Sequence, residues 1–322
     1  MSQLRLNPLA GRWVTVTGDR ATRPAAFDER TLRVETDERP CPFCPGNEEA
    51  TSASLETVGS TGSWLLRVVE NRYPAFSGQD PLAVVNLGPV FTQAKASGKH
   101  EVLVLTPDHS GSWADLDEDQ VGLVMAALRD RLEAHAGVPG IRYSQGIVNH
   151  GREAGASINH PHGQLLGIPF VPGDIADEEA GFARFAGACV LCTTLEAEVE
   201  AGHRTVLEDD LAVVVAPFWS GTPFELLVIP RAHESHLDRA KPADLGAVGR
   251  ALRTTLGRLR DRLGDVAYNV VFHTSPHRHD GAFHWHVHVL PKLTTRAGFE
   301  LGTGVLINIV PPEVAADVLL GR

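Results

Sequence analysis

The stretch Asn149-His150-Gly151-Arg152-Glu153-Ala154-Gly155-Ala156-Ser157-Ile158-Asn159-His160-Pro161-His162-Gly163-Gln164-Leu165-Leu166-Gly167-Ile168-Pro169 decides how this chain is read. Its end, Leu165 to Pro169, is short and apolar and reads as a buried strand, as does Gly146 to Asn149 just before it. Between the two lies a polar turn holding Asn149, Gly151, Gly155 and Ser157. Glycines let a backbone approach a ligand closely and turn its N–H groups toward an anion. Side chains at i and i+2 of a strand share a face, so His160, His162 and Gln164 are expected to point the same way. Two imidazoles and an amide beside an amide-rich turn make a site for attack on a phosphoryl group. A lone His-x-His is more often a packed pair at a strand start. Here glycines, amides and histidines converge, which favours chemistry.

The bulk properties narrow the classes. A chain of 322 residues can bury a full core and is expected to form two domains. A net charge of −11 argues against a general nucleic-acid or anionic-membrane binder. A mononucleotide needs only a local cationic patch and stays possible. The N-terminus MSQLRLNPLAGRW has no apolar signal core, and no apolar run is long enough to span a bilayer, so a cytoplasmic location is expected.

The four cysteines form two C-x-x-C pairs, Cys41/Cys44 and Cys189/Cys192. Each pair opens the same series of landmarks: strand, a Pro-preceded His, helix, strand, His-x-His. His109 precedes His160 by 51 residues, and His233 precedes His284 by 51. Matched spacing across four landmarks argues for duplication of one unit, with halves at 1–173 and 174–322. Each half then supplies two thiolates and two imidazoles: Cys41, Cys44, His109 and His160 in one, Cys189, Cys192, His233 and His284 in the other. Such sets suit tetrahedral zinc, two ions per chain, with no open position for water. In the first half the ion's role is indirect: it holds His160 and so fixes the strand carrying His162.

Local signals place helices over 118–136 and about 241–263, and strands over 13–17, 64–69, 100–106, 141–148, 204–208, 211–216, 224–229 and 268–273. The Ser/Thr/Gly-rich residues 49–62 are expected to be a mobile loop. The second half has the fuller triad, His284, His286 and His288, but no Asn-x-Gly and no Ala-Gly before it. His286 and His288 are therefore expected to be structural or relic positions.

The pattern Asn149, Gly151, Ala154-Gly155, Ser157, His160, His162 resembles the active strand of the histidine-triad superfamily. Gln164, inside His-Pro-His-Gly-Gln, stands where that superfamily's hydrolases carry a third His. This resembles the galactose-1-phosphate uridylyltransferase branch, and the likeness covers nearly the whole chain. It implies an α+β fold of two tandem histidine-triad-like domains, with antiparallel sheets and flanking helices. It implies double displacement: His162 attacks the α-phosphorus of UDP-glucose, and galactose 1-phosphate then takes the uridylyl group. Imidazole suits this because it is largely unprotonated at neutral pH. Gln164, Ser157 and the amide near Gly155, with Asn149, would hold the phosphoryl oxygens. An amide at 164 cannot readily shuttle a proton to water, which disfavours hydrolysis.

The resemblance also implies that Phe43 and Asn71 lie against the nucleoside, with Arg72 beside them, and that Glu300 takes sugar hydroxyls. Pro8-Leu9-x-Gly11-x-Trp13 followed by Arg20-x-x-Arg23-Pro24 is similar to the family's N-terminus. There the two arginines reach the nucleotide of the partner subunit, implying a homodimer with shared sites; a guanidinium fork matches phosphate oxygens. The second Cys₂His₂ set looks more like the plant-type ADP-glucose phosphorylase relatives, which keeps an adenylyl-transferring alternative open. From another class, a non-catalytic zinc-stabilised nucleotide-binding module is the remaining alternative, though it has no need of a free His162.

Overall fold

The computed structural model describes residues 2–18, 40–60, 62–185 and 187–322. Arg20 and Arg23 lie outside the described residues. In chain order the elements are β1 (Gln3–Asn7), β2 (Arg12–Val16), β3 (Ser54–Ser60), β4 (Ser63–Glu70), β5 (Val84–Asn86), β6 (Thr92–Ala94), β7 (Lys99–Val104), α1 (Glu118–Ala136), β8 (Tyr143–His150), β9 (His162–Ile168), α2 (Gly173–Arg184) and α3 (Val190–Ala201). Then follow β10 (Thr205–Glu208), β11 (Ala212–Val215), β12 (Leu226–Pro230), α4 (Pro242–Leu263), β13 (Tyr268–His273), β14 (His286–Pro291), α5 (Gly298–Thr303), β15 (Leu306–Asn308) and α6 (Pro312–Leu320).

Ten strands make one antiparallel sheet in the order β10-β11-β12-β14-β13-β8-β9-β7-β4-β3. Read outward from its middle, each half contributes five strands in the same sequence: β8, β9, β7, β4, β3 on one side and β13, β14, β12, β11, β10 on the other. The halves join edge to edge through β8 and β13, with Val148 opposite Val270. Pairing the two central edges removes the unpaired N–H and C=O groups that each half alone would expose. The expected α+β class with antiparallel sheets and flanking helices is what the chain adopts. A small sheet, β1-β2-β15, and the β5-β6 hairpin complete it.

The two long helices cover one face of the sheet. Helix α1 starts at Asp117, whose side chain accepts from the Gln120 N–H, the capping that the acidic start predicts. Helix α4 has Pro242 at its first position, where a missing N–H costs nothing. Val121, Met125 and Leu128 of α1 and Leu245, Leu252 and Leu256 of α4 pack with Leu165, Phe272 and Val287 of the sheet in one buried cluster. The helices touch at Gly249, where a Cβ would stand 2.5 Å from Val121 Cγ1. Close approach, not backbone conformation, is the reason for glycine there.

One expectation about the fold fails. Residues 54–60 are not a loop but the edge strand β3, paired along β4 with two register shifts; small polar residues suit a solvent-facing edge. Helices α2 and α3 carry no strong sequence signal. Gly181 of α2 packs so closely that a Cβ would overlap the Leu9 carbonyl, so tertiary contact rather than propensity holds that helix. No described helix is long and apolar enough to cross a membrane.

Candidate active site

The sheet face away from α1 and α4 carries His162 and Gln164 alongside two smaller apolar clusters. Strand β9 begins at His162, so His162 and Gln164 share that face by the pleat. His160 precedes the strand. The expected three-residue alignment therefore holds for two residues only. The His160 ring is fully buried and turns to the cysteines of the 41–47 turn. Its Nδ1 lies 3.8 Å from Cys41 Sγ and 3.7 Å from Cys44 Sγ, and its Nε2 donates to the Thr106 carbonyl at 2.8 Å. His109 Nδ1 is 3.3 Å from Cys44 Sγ.

The second half repeats this arrangement. His284 Nδ1 is 3.7 Å and 3.5 Å from the Cys189 and Cys192 sulfurs, and its Nε2 donates to the Pro230 carbonyl at 3.0 Å. His233 Nδ1 is 3.6 Å from Cys192 Sγ. In each Cys₂His₂ set one donor atom per residue lies within 4.8 Å of the others. Burial and the neighbouring thiol push Cys44 up to about 11 and Cys192 up to about 12. Adjacent half-buried thiols resist joint ionisation without a cation between them, and metal binding would supply that cation. Both sets fit a metal ion, with the backbone-anchored histidines fixing ring orientation as metal sites require.

His162 is 6% exposed. Its Nδ1 donates to the His160 carbonyl at 2.8 Å. A neutral imidazole carries one proton, so Nε2 keeps its lone pair. Burial lowers the His162 pKa, and the ring is neutral at physiological pH. Phe43, in the Cys-x-x-Cys turn, places its ring 5.3 Å from that of His162. A cavity of about 250 Å³ opens onto His162 and is lined also by Asn149, Gly151, Arg152 and Tyr268.

The turn between β8 and β9 is shaped by glycine. Gly151 and Gly155 have φ of 80° and 91°, values that L side chains avoid. Asn149 Oδ1 accepts from Asn269 Nδ2 at 2.7 Å, so the second half orients the first half's amide. Ser157 is exposed on the same turn, beside Ala156 and Ile158 of the cavity wall. Gln164 Oε1 accepts from His100 Nε2 at 2.8 Å.

The remaining positions are more scattered. Asn71 lies beside His100, its Nδ2 3.2 Å from Nε2, and its Oδ1 accepts from the Tyr73 N–H at 2.8 Å. Arg72 donates to the Ala50 carbonyl at 3.1 Å. Glu300 accepts from the Ala297 N–H of its own helix at 3.0 Å. It lines a second cavity of about 450 Å³ that shares no lining residue with the first. Within one chain, then, the structure gathers Phe43, Asn149, Gly155, His160 and His162, and leaves Glu300 apart.

Two features were missed. One is His100, on a strand whose sequence offers no motif. The other is a third candidate metal set, Glu178, His273, His286 and His288, again with donor atoms within 4.8 Å of one another. His286 and His288 thus have defined partners and are not mere relics of a repeat. His286 Nδ1 donates to the His284 carbonyl at 2.8 Å, as His162 does to His160, but its Nε2 faces His288 Nε2 at 3.2 Å. Burial lowers His286 to about 3. For His288 burial works the same way, but the hydrogen bond to Glu225 and the charge of Glu178 outweigh it and raise the pKa. Glu178 is held at about 2, burial being overcome by His273 and the two other rings. The sequence signal was present in the spacing of His286 and His288, but Glu178 comes from α2, which the sequence did not announce.

Fold and site define a duplicated histidine-triad unit in which one half keeps a free imidazole beside an amide-lined turn. Residues 1–172 match the family model for the N-terminal domain of galactose-1-phosphate uridyl transferase, and residues 198–295 match the HIT domain. The chain belongs to the galactose-1-phosphate uridylyltransferase family and is an enzyme of nucleotidyl transfer. It is 34% identical to an ADP-glucose phosphorylase of Arabidopsis thaliana, over 98% of this chain and 92% of that one. It is 29% identical to a galactose-1-phosphate uridylyltransferase of Thermotoga maritima, over 99% and 98%. The crystal structure of an Arabidopsis thaliana ADP-glucose phosphorylase with bound ADP-glucose superposes with a TM-score of 0.84 at 31% identity, covering 99% of this chain and 98% of that one.

Proposed function

We propose that the protein transfers a nucleotidyl group from a nucleoside diphosphate hexose by double displacement through His162. The observation that carries this is the 2.8 Å bond from His162 Nδ1 to the His160 carbonyl. It leaves Nε2 unprotonated and aimed away from the backbone. Nε2 attacks the α-phosphorus, an N–P bond forms, and the P–O bond to hexose 1-phosphate breaks. The ring gains positive charge, which the His160 carbonyl stabilises through the retained Nδ1–H. A phosphate oxygen of the acceptor then attacks phosphorus, and the N–P electrons return to Nε2. Gln164, Ser157, Asn149 and the amide near Gly155 hold the phosphoryl oxygens as charge redistributes. Phe43, Asn71 and Arg72 receive the nucleoside.

Zinc is the ion that the two Cys₂His₂ sets suit. Bound at the first, it would hold Cys41, Cys44, His109 and His160, and so fix the carbonyl that orients His162. The division near residue 173 and a cytoplasmic location belong to the same reading. So does a homodimer in which Arg20 and Arg23 complete the neighbour's site.

With UDP-glucose as donor and galactose 1-phosphate as acceptor, the reaction is that of the family's name. A second reading, ADP-glucose with inorganic phosphate, is favoured by the second Cys₂His₂ set together with the greater identity to the Arabidopsis phosphorylase. Incubation with each nucleotide sugar and each acceptor, followed by phosphorus NMR, separates the two. Exchange of galactose 1-phosphate into UDP-galactose supports the first, and release of ADP from ADP-glucose and phosphate supports the second. No turnover with any pair contradicts both.

A further inference from the structure

We propose that His100 is a positioning residue that fixes which end of the Gln164 carboxamide meets the phosphoryl group. The inference rests on the nucleotidyl-transfer reading of the site. The Ala75 backbone N–H, which can only donate, lies 3.1 Å from His100 Nδ1. Nδ1 therefore carries the lone pair and the neutral ring's proton is on Nε2. Nε2–H donates to Gln164 Oε1 at 2.8 Å. The Asn71 NH₂, 3.2 Å from Nε2, can only donate and makes no hydrogen bond to a protonated Nε2; the shorter contact to Gln164 and the Ala75 N–H at Nδ1 agree with each other and outweigh it. The oxygen end of Gln164 is thus committed to β7, and the NH₂ end is the one that remains to donate to a phosphoryl oxygen.

A carboxamide is nearly symmetric in shape, so nothing steric selects its orientation. The electrostatic difference is large: NH₂ attracts a phosphoryl oxygen and C=O repels it. A partner that binds only the oxygen resolves the choice before substrate arrives. The duplicate half makes the same provision. His288 holds the place of Gln164, opposite Leu227 as Gln164 is opposite Val102. Glu225, two residues before Leu227 as His100 is two before Val102, lies 3.6 Å from His288 Nδ1. Both halves therefore orient the residue two beyond the central histidine from one equivalent position.

The test measures the first-turnover rate of His162 labelling by UDP-glucose and ADP-glucose, quenched and read by intact mass, in His100→Ala, His100→Gln, Gln164→Ala and the His100→Ala/Gln164→Ala pair. His100→Ala should lower the limiting rate about tenfold, with half-saturation changed less than about twofold. His100→Gln, whose Nε2 amide can donate in place of the ring, should stay within about threefold of wild type. On Gln164→Ala, removing His100 should cost less than about twofold more. Full multiplication of the two losses, or His100→Gln as poor as His100→Ala, overturns the proposal. If wild type labels with no nucleotide sugar, it is the transfer reading that fails. The Gln164 side-chain amide signals, identified by their loss in Gln164→Ala, then decide the inference: they should keep distinct shifts in wild type and His100→Gln and collapse toward free-amide positions in His100→Ala. Unmoved signals in His100→Ala overturn it.

Discussion

Replacing Arg131 with Met should destabilise the protein by roughly 3 kcal/mol at pH 7, and the loss should shrink in acid. Glu101 of β7 is 1% exposed. Arg131 of α1 grips it with two bonds, of 2.8 and 2.7 Å, and His135 Nε2 stands 3.1 Å from Oε1. Burial works to raise the carboxyl pKa, but the Arg131 hydrogen bonds and the nearby His135 ring outweigh it and hold the group at about 2, against an ordinary 4.5. That gap corresponds to roughly 3 kcal/mol. The cost of stranding one partner of a buried pair, about 3–5 kcal/mol, agrees. Met keeps the aliphatic stem, so the charge is the main thing lost. Because the folded pKa is depressed, the stabilisation is complete above about pH 4.5 and is lost as pH falls toward 2. Urea melts of wild type and Arg131→Met at pH 7 and pH 3, compared at equal slope, read this directly. A difference under about 1 kcal/mol at pH 7, or one that is the same at both pH values, would refute the reasoning.

Three further outcomes follow from the same structure. Metal analysis should find zinc in both Cys₂His₂ sets, and Cys44→Ser should lose one ion per chain and melt lower; an unchanged metal content would remove the first site. Mixing Arg20→Ala with His162→Ala chains should restore activity in one of the two sites of a mixed dimer, whereas mixtures no better than either parent would end the shared-site idea. Leu252→Ala, which empties a fully buried position between α4 and the sheet, should cost about 2–5 kcal/mol in chemical denaturation and leave metal content intact; a cost under about 1 kcal/mol would contradict the packing.

Much of this was legible in the sequence because the chain states it locally. Helix 118–136 is bounded by an acidic cap and by Gly137, and β13 by its apolar alternation, and both lie where expected. The Cys and His landmarks keep their spacing in both halves because each set gathers its four donor atoms around one point. What escaped was decided by partners distant in sequence. The strand β3 looks like a loop until β4 lies beside it. Helix α2 is fixed by Leu9, and through it Glu178 reaches histidines about a hundred residues on. His100 acquires meaning only because Ala75 chooses its tautomer and Gln164 receives its proton. The alignment of His160 with His162 was overextended, since Pro161 delays the strand to His162 and frees His160 to turn toward sulfur.

The central claim is that one imidazole carries the nucleotide although the chain holds two equivalent ones. His162 and His286 both donate Nδ1–H to the carbonyl two residues before. They differ at Nε2: that of His286 faces His288 and Glu178 in a largely buried cluster, whereas the His162 ring borders a cavity. The measurement is intact mass after incubation with UDP-glucose and with ADP-glucose, on wild type, His162→Ala and His286→Ala. One nucleotidyl adduct per chain should appear in wild type and in folded His286→Ala, and none in His162→Ala. An adduct that persists in His162→Ala and vanishes in His286→Ala would contradict the account.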